Sequence, residues 1–285
     1  MCGADASNFK ILGHRLNRTQ GKNPGKVSGI STTIKECVSC GLIFSDPQPV
    51  PANLQDHYGI PPAEYWNDDY FKANPESIKA VVEKARNYGG PDGKILDIGI
   101  GVGFAMKGML EAGLNVTGIE PSEPFLNYAV SKIGIPKDRI VQSSIEDAQF
   151  PDNYFDYINF GAVLEHLYSP STAIARALKW VKKGGKIEIE IPNAQWLMSK
   201  IFNLYYRLTM QPFVSNISPM HAPFHLYEFT LDSFLRNGKL NNYKLIHHHY
   251  FVAPTYLNSL LDKPLQYLMQ KTGKGMQLIV VLEKQ

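Results

Sequence analysis

Apolar and polar positions alternate in blocks along the 285-residue chain. Short apolar runs bounded by Gly, Pro, Asn and Asp predict strands at Lys94 to Ile98, Asn115 to Glu120, Arg139 to Gln142, Phe155 to Phe160, Lys186 to Ile191, Tyr243 to Phe251 and Gln277 to Glu283. Helices are predicted between them near 103–112, 122–133, 170–182 and 230–237, the third opened by Ser169-Pro170. Upstream, Asn74-Pro75-Glu76 reads as a helix start, with Asn as cap and Pro at the first position; Ile78, Val81, Val82 and Ala85 follow at core-facing spacing. Strand and helix in alternation imply an α/β fold, a doubly wound and mostly parallel sheet covered on both faces. Ligands in such a sheet sit beyond the carboxyl ends of the strands.

The pattern breaks in three places. Residues 1–50 are rich in Gly, Ser, Thr, Asn and Lys with little helical periodicity. Residues 51–73 carry Pro51, Pro61 and Pro62 among the aromatics Tyr58, Tyr65, Trp66, Tyr70 and Phe71, and read as a connector that packs on the main domain. Between 192 and 230 an insertion opens with the apolar, helical stretch Trp196 to Leu208 and continues into a loop with Pro212, Pro219, His221, Pro223 and His225. Placed after a strand's carboxyl end, it suits a lid over a substrate pocket. A membrane-surface helix is the competing reading, with Lys200 and Arg207 as its basic residues. The expected organisation is thus a small N-terminal segment (1–50), a connector with a helix (51–90) and the main domain (91–285) with its lid at 192–230.

Composition narrows the functions. Apolar residues make up 44%, enough for a real core, and a formal charge of +3 without any long basic run argues against nucleic acid. Three cysteines, all within the first forty residues, form no disulfide framework and suit a reducing cytoplasm. The N-terminus lacks the apolar stretch of a signal peptide, and no run reaches the ~20 apolar residues of a membrane span. The expectation is a soluble cytoplasmic protein.

Cys37-Val-Ser-Cys40-Gly41 places two thiols on one tight turn, as half of a tetrahedral zinc site requires. Cys2-Gly3 resembles part of a second knuckle whose partner would fall before Met1, and His14 is a further candidate ligand. Zinc at Cys2, Cys37 and Cys40 stands beside a degenerate ribbon that keeps the shape without metal. A redox pair lacks its usual βαβ setting here.

The sharpest chemistry lies in KILDIGIGVGFAM, Lys94 to Met106: a buried strand ending in Asp97, glycines at 99, 101 and 103, then a helix. Such a turn lets the backbone take φ > 0 and come close to a nucleoside. A dinucleotide fingerprint would need glycine at 104, which is Phe104. Asp97 ahead of the glycines favours a ligand presenting an amine, and Glu120, at the end of the next strand, is placed to accept a ribose diol.

Here the chain resembles the class I S-adenosylmethionine-dependent methyltransferases, over about 91–285. The resemblance rests on LDIGIGVG, GIEPS around Glu120, SSIEDAQFPDNYFD at 143–156, VLEHL at 163–167, LKWVKKGGKIEIEIPN at 178–193 and HLYEFT at 225–230. It implies a Rossmann-like seven-stranded sheet whose last strand, Gln277 to Glu283, runs antiparallel between its neighbours. The N-terminal Cys-x-x-Cys-Gly-Leu-Ile-Phe and the Asp-Pro after it are similar to a ribbon that precedes small-molecule and sugar-modifying members. The resemblance also implies that Gly99, Gly101 and Gly103 wrap the methionyl part with Asp97 near its amino group, and that Glu120 holds the ribose diol. Pro121 and Ser122 would flank the adenine, Ser144, Ile145 and Glu146 would meet its edge, and Asn159 to Ala162, with Gly161, would line the site below the sulfonium.

Methyl transfer to oxygen benefits from a base near the acceptor hydroxyl, and His166, His221 and His225 are the candidates. O-methyltransferases of ubiquinone biosynthesis, which look similar here, carry a Glu-x-x-Glu-His segment linked to a divalent ion; this chain has Ala162 in place of the first Glu. Glu165 and His166 serve equally well as caps for the next helix. His247-His248-His249 reads as edge packing, because strand neighbours point to opposite faces. The expected function is O-methylation of a small hydroxylated acceptor, a sugar, polyketide or quinone-like molecule. The alternative is a non-catalytic subunit that binds S-adenosylmethionine.

Overall fold

The computed structural model describes residues 1–5, 7–15, 32–48, 72–217, 225–255 and 257–285. His221 and the aromatic stretch Tyr58 to Phe71 lie outside the described residues. In chain order the strands are β1 Phe9–Arg15, β2 Thr33–Cys37, β3 Ile43–Asp46, β4 Lys94–Ile98, β5 Asn115–Ile119, β6 Ile140–Val141, β7 Phe155–Gly161, β8 Val181–Pro192, β9 Phe213–Val214, β10 Tyr227–Glu228, β11 Tyr243–Phe251 and β12 Gln277–Lys284. The α-helices are α1 Pro75–Gly89, α2 Phe104–Glu111, α3 Glu123–Tyr128, α4 Pro170–Trp180, α5 Leu197–Leu208, α6 Leu231–Asn241 and α7 Ser259–Thr272.

Seven strands form the main sheet in the order β11-β12-β8-β7-β4-β5-β6. The five from β8 to β6 run parallel, and β12 lies antiparallel between β8 and β11, as the resemblance to class I methyltransferases implies for the last strand. Central strands are apolar on both faces: Ile95, Leu96, Ile98, Ile158, Phe160, Ile187, Ile189 and Ile191 are buried. Helices close both sides, α1 and α2 enclosing Val82, Ala85, Met106 and Met109, and α4 enclosing Ile174 and Ala177. The predicted cap of α1 forms, Asn74 Oδ1 accepting from Glu76 N and Ser77 N with Pro75 at the first position.

Several element ends differ from expectation. The helix predicted over 170–182 stops at Trp180, because Val181 already pairs with Phe155 and begins β8. The predicted helix 122–133 is α3 followed by a π-turn at Ala129–Ile133, closed by Gly134 in the left-handed conformation. The strand predicted at 139–142 shrinks to Ile140–Val141 after a 3₁₀ turn at Lys137–Arg139. Helix α6 runs on to Asn241, and α7 has no counterpart in the sequence expectation.

A second sheet, order β10-β3-β2-β1-β9, joins two distant parts of the chain. The N-terminal strands β1 to β3 form its centre in antiparallel pairing. The insertion supplies both edges, β9 beside β1 and β10 beside β3. Each N-terminal edge is therefore capped by a two-residue strand, which removes a free row of backbone donors and acceptors. Cys37, Cys40 and Leu42 belong to the same apolar core as Phe160, Ile189 and Phe234, so the N-terminal knuckle is seated on the main domain.

Candidate functional site

The carboxyl ends of β4, β5 and β7 converge on two buried carboxylates. Register places Asp97 beside Gly118 of β5 and Asn159 of β7. Asn159 Nδ2 donates to Asp97 Oδ1 at 2.8 Å. Burial pushes the Asp97 carboxyl up to about 6, against the opposing pull of that hydrogen bond. Glu120 directly follows β5 and accepts from Gly101 N at 2.8 Å and Ser122 N at 2.9 Å. Burial raises it to about 7, with the Asp97 charge adding to the rise and the two N–H donors resisting it.

Gly99, Gly101 and Gly103 all take positive φ, at 69°, 56° and 91°. The turn is tied to β5 by Gly99 N and Ile100 N donating to Ile119 O. Two of the three glycines are needed for a reason internal to the protein. A Cβ on Gly99 would stand 2.5 Å from Val163 Cγ2, and one on Gly103 2.4 Å from Ile135 Cδ1. Gly101 contributes differently, its N–H fixing the Glu120 carboxylate. The turn thus holds Glu120 in place.

The other expected contacts are spread around the same rim. Pro121 and Ser122 follow Glu120, and Ser122 Oγ caps α3 by accepting from Phe125 N. Ser144 is buried, and its hydroxyl donates to Asp147 Oδ2 at 2.9 Å while accepting from Asp147 N, so this side chain serves its own turn. Ile145 is part of the core and Glu146 is exposed. Gly161 ends β7 exposed, and Ala162 behind it holds φ 55°, a left-handed conformation unusual for a residue with a Cβ.

That strained turn leads into the 3₁₀ segment Leu164–His166 and a second cluster. The His166 and His225 rings meet edge to face with centroids 4.6 Å apart. Ligand atoms of Glu165, His166 and His225 all lie within 4.8 Å of one another. Glu165 is 1% exposed, its Oε2 has no hydrogen-bond partner among the described residues, and burial pushes its carboxyl up to about 8 with Glu190 adding to the shift. It does not cap α4, whose cap position is Ser169, so that expectation is corrected. The buried Arg15 was not anticipated: its Nη1 donates to His225 O at 3.3 Å, and it sits beside the buried Glu228. Its sequence context, the end of an unrecognised strand, offers no signal.

At the knuckle, Cys2 Sγ and Cys37 Sγ are 3.7 Å apart, and the thiols of Cys2, Cys37 and Cys40 lie within 4.8 Å of one another. Burial pushes the Cys40 thiol up to about 12. His14 is not part of this group; it faces a cavity beside α5. Along β11, His247 and His248 are exposed, and the rings that meet are those of His247 and His249, tilted by 38° with centroids 5.7 Å apart, as strand alternation requires.

Residues 96–189 match the family model described as methyltransferase domain. Over 149 residues, half of this chain, it is 30% identical to ubiquinone biosynthesis O-methyltransferase of Proteus mirabilis, of which it covers 59%. Over 103 residues, 35% of this chain, it is 36% identical to phosphoethanolamine N-methyltransferase 2 of Caenorhabditis elegans, covering 24% of that protein. The chain thus spans less than two thirds of these curated relatives. Among solved structures, phosphoethanolamine N-methyltransferase 2 of Haemonchus contortus in complex with S-adenosyl-L-methionine superimposes with a TM-score of 0.55 at 16% identity, over 85% of this chain and 62% of that one; the likeness is one of fold.

Proposed function

Since the chain carries a class I S-adenosylmethionine-dependent methyltransferase domain, we propose that it moves a methyl group from S-adenosylmethionine to an oxygen of a small hydroxylated acceptor. The observation that carries the choice of oxygen is the edge-to-face pair His166 and His225 beside the buried Glu165. A neutral amine attacks through a free lone pair and needs no base to do so, whereas a hydroxyl must lose its proton as it is methylated.

The cleft fits the cofactor by the chemistry of its donor set. Two buried carboxylates on adjacent strands suit one amine and one diol, and each gains a partner for a charge that burial otherwise disfavours. When bound, S-adenosylmethionine supplies a methyl group on a positive sulfonium. Asp97 holds the amino end and Glu120 the ribose, while Asn159 keeps Asp97 oriented. Gly99, Gly101, Gly103, Pro121 and Gly161 form the walls, and Ile145 with Glu146 offers backbone to the adenine edge. An imidazole nitrogen of His166 or His225 takes the acceptor's proton, and Arg15 fixes the backbone that carries His225. Glu165, protonated near pH 7, orients the pair without adding charge. The insertion at 192–230 covers the acceptor as a lid and, with the fold, excludes water.

His166→Ala and His225→Ala test this. Against a panel of phenols and sugars, turnover by at least one variant is expected to fall ~10²- to 10⁴-fold with S-adenosylhomocysteine affinity unchanged. Full activity in both variants removes the base. No methylated acceptor from the wild type, with intact cofactor binding, favours the non-catalytic subunit instead. At the knuckle the same reading places a zinc ion on Cys2, Cys37 and Cys40. Elemental analysis should give ~1 zinc per chain, lost in Cys37→Ser; a wild type that stays metal-free after zinc addition rules the site out.

A further inference from the structure

Helix α5 turns most of its apolar residues outward. Inward it buries Met198 and Ser199, and the half-buried Asn203 bonds the chain, its Nδ2 donating to Asn216 Oδ1 and its Oδ1 accepting from Ser215 N, both at 2.7 Å. Its outward stripe is apolar. Ile201, Leu204, Tyr205 and Leu208 recur at i, i+3, i+4 and i+7 and are all exposed, Leu208 by 74%, with Met210 beyond them at 93%. A helix of a water-facing surface has the opposite polarity. Among the described residues nothing covers this stripe.

Charge along the helix is one-signed, and the acid close to Lys200, Glu36 of β2, is paired with Lys10 at 3.1 Å. From Leu197 to Ile217 the chain carries Lys200 and Arg207 and no acid. Both line a cavity of about 590 Å³ between α5 and β1, together with His14, Leu12, Leu204 and Phe213. Leu204 belongs to the cavity and to the apolar stripe alike, so the two are continuous. The N-terminal end of α5 meets the end of α7, where Leu197 N donates to Lys274 O at 3.1 Å. Helix α7 repeats the composition, with Leu260, Leu261, Tyr267 and Leu268 exposed beside Lys263 and Lys271. Its single acid, Asp262, is engaged by Thr255 N and Thr255 Oγ1.

We propose that α5 docks on the surface of an anionic phospholipid bilayer, its apolar stripe entering the acyl boundary and the cavity at Lys200 and Arg207 receiving a lipid phosphate. Exposed Leu and Tyr flanked by cations, with no acids between, is the chemistry of an interfacial helix that recognises negative lipid. A second copy of the chain suits the face less well, because an isologous contact would bring the same basic patch, Lys200 and Arg207, from both copies into one interface with no acid of α5 to pair them. No helix of the described residues is long and apolar enough to cross a membrane, and docking requires none.

The test is flotation of the 285-residue chain with phosphatidylcholine vesicles, with and without about one third phosphatidylglycerol. The wild type should float with the anionic vesicles and release at high salt. Leu204→Glu/Leu208→Glu should weaken that partitioning at least ~tenfold, and Lys200→Glu/Arg207→Glu should remove the preference for phosphatidylglycerol. Both variants should keep the wild-type melting temperature and S-adenosylhomocysteine affinity. Failure of the wild type to float, or floating that neither variant weakens, overturns the proposal. So does a clear drop in melting temperature of Leu204→Glu/Leu208→Glu, which would show that the chain itself covers the stripe. A dimer broken by that variant, with no vesicle binding, assigns the face to a second copy. Tight binding of free glycerol 3-phosphate without vesicle binding makes the cavity a site for a soluble anion.

Discussion

Lowering the pH from 7.5 to 5 perturbs the cofactor cleft through the two groups that define it. Burial holds Asp97 at about 6 and Glu120 at about 7, so both lose their charge across this window. If cofactor binding needs only Asp97 ionised, affinity for S-adenosylhomocysteine falls ~tenfold; if it needs both, several hundredfold, or roughly 3.5–4 kcal/mol at ~1.4 kcal/mol per decade. Near pH 6.5 binding should also release about one proton, most of it from Glu120. The stability of the free protein runs the other way. Both folded values are raised above their ordinary values of 3.8 and 4.5, so their contribution is full below those values and is lost as pH rises through 6 and 7. The thermal shift given by the ligand therefore grows with pH while the free protein's melting point declines. Titration calorimetry in two buffers of different ionisation enthalpy reads proton release directly. An affinity flat to within ~twofold from pH 5 to 7.5, with no proton exchanged, would refute the placement of the cofactor on these carboxylates.

Glu165 makes a separable prediction at higher pH. Its folded value of about 8 lies far above 4.5, so the stability it lends is lost as pH rises through 8; the wild type should melt progressively lower from pH 7 to 9, by up to ~1.4 kcal/mol per unit, and Glu165→Gln should flatten that slope. Equal slopes would mean that Glu165 is not held neutral. Gly103→Ala should cost ~1–3 kcal/mol in chemical denaturation, from positive φ and the approach to Ile135 Cδ1. Ile135→Ala alone should cost ~2–4 kcal/mol by cavity formation, and the pair less than the sum; strict additivity would sink the assigned contact.

The main sheet was legible because its signals are local. Apolar runs of five to seven residues bounded by turn residues are too short for buried helices and read as buried strands, and Asp97 and Glu120 mark where two of them leave the core. The reason for the glycines was less legible. Close approach of a ligand was the natural reading, yet Val163 and Ile135 fill the Cβ space at 99 and 103, and both come from elsewhere in the chain. Likewise Ser144 looks available in sequence, while only the fold shows its hydroxyl engaged by Asp147. Helix α7 escaped notice since Pro264 lies inside it, where proline ordinarily ends a helix. The ends of α5 were visible but its orientation was not. An amphipathic pattern reports that one face differs from the other, and packing alone decides which face is turned inward.

The N-terminal segment and the insertion were expected as two separate pieces, and their joining changes what each does. Strands of two residues carry no period, and β9 and β10 pair with partners nearly two hundred residues away, so no local pattern announces them. Once joined, they form a continuous mechanical path. The knuckle carbonyl Cys40 O accepts from Thr230 Oγ1, Thr230 caps α6, and β10 lies between Thr230 and His225. From the other side, Arg15 at the end of β1 reaches His225 O, while Glu228 of β10 accepts from Ile217 N and Asn216 Nδ2. His225 is thus held by Arg15 of β1 and by the β10 segment that follows it, with Leu226 N donating to Glu165 O at 2.7 Å, whereas Asp97, Glu120 and their partners lie at the ends of the first sheet's strands and in the loops that leave them. The proposed acceptor pair therefore bridges the two sheets, His166 following β7 of the first and His225 preceding β10 of the second, and a change at the cysteine knuckle is expected to act on His225 before it acts on Asp97 or Glu120.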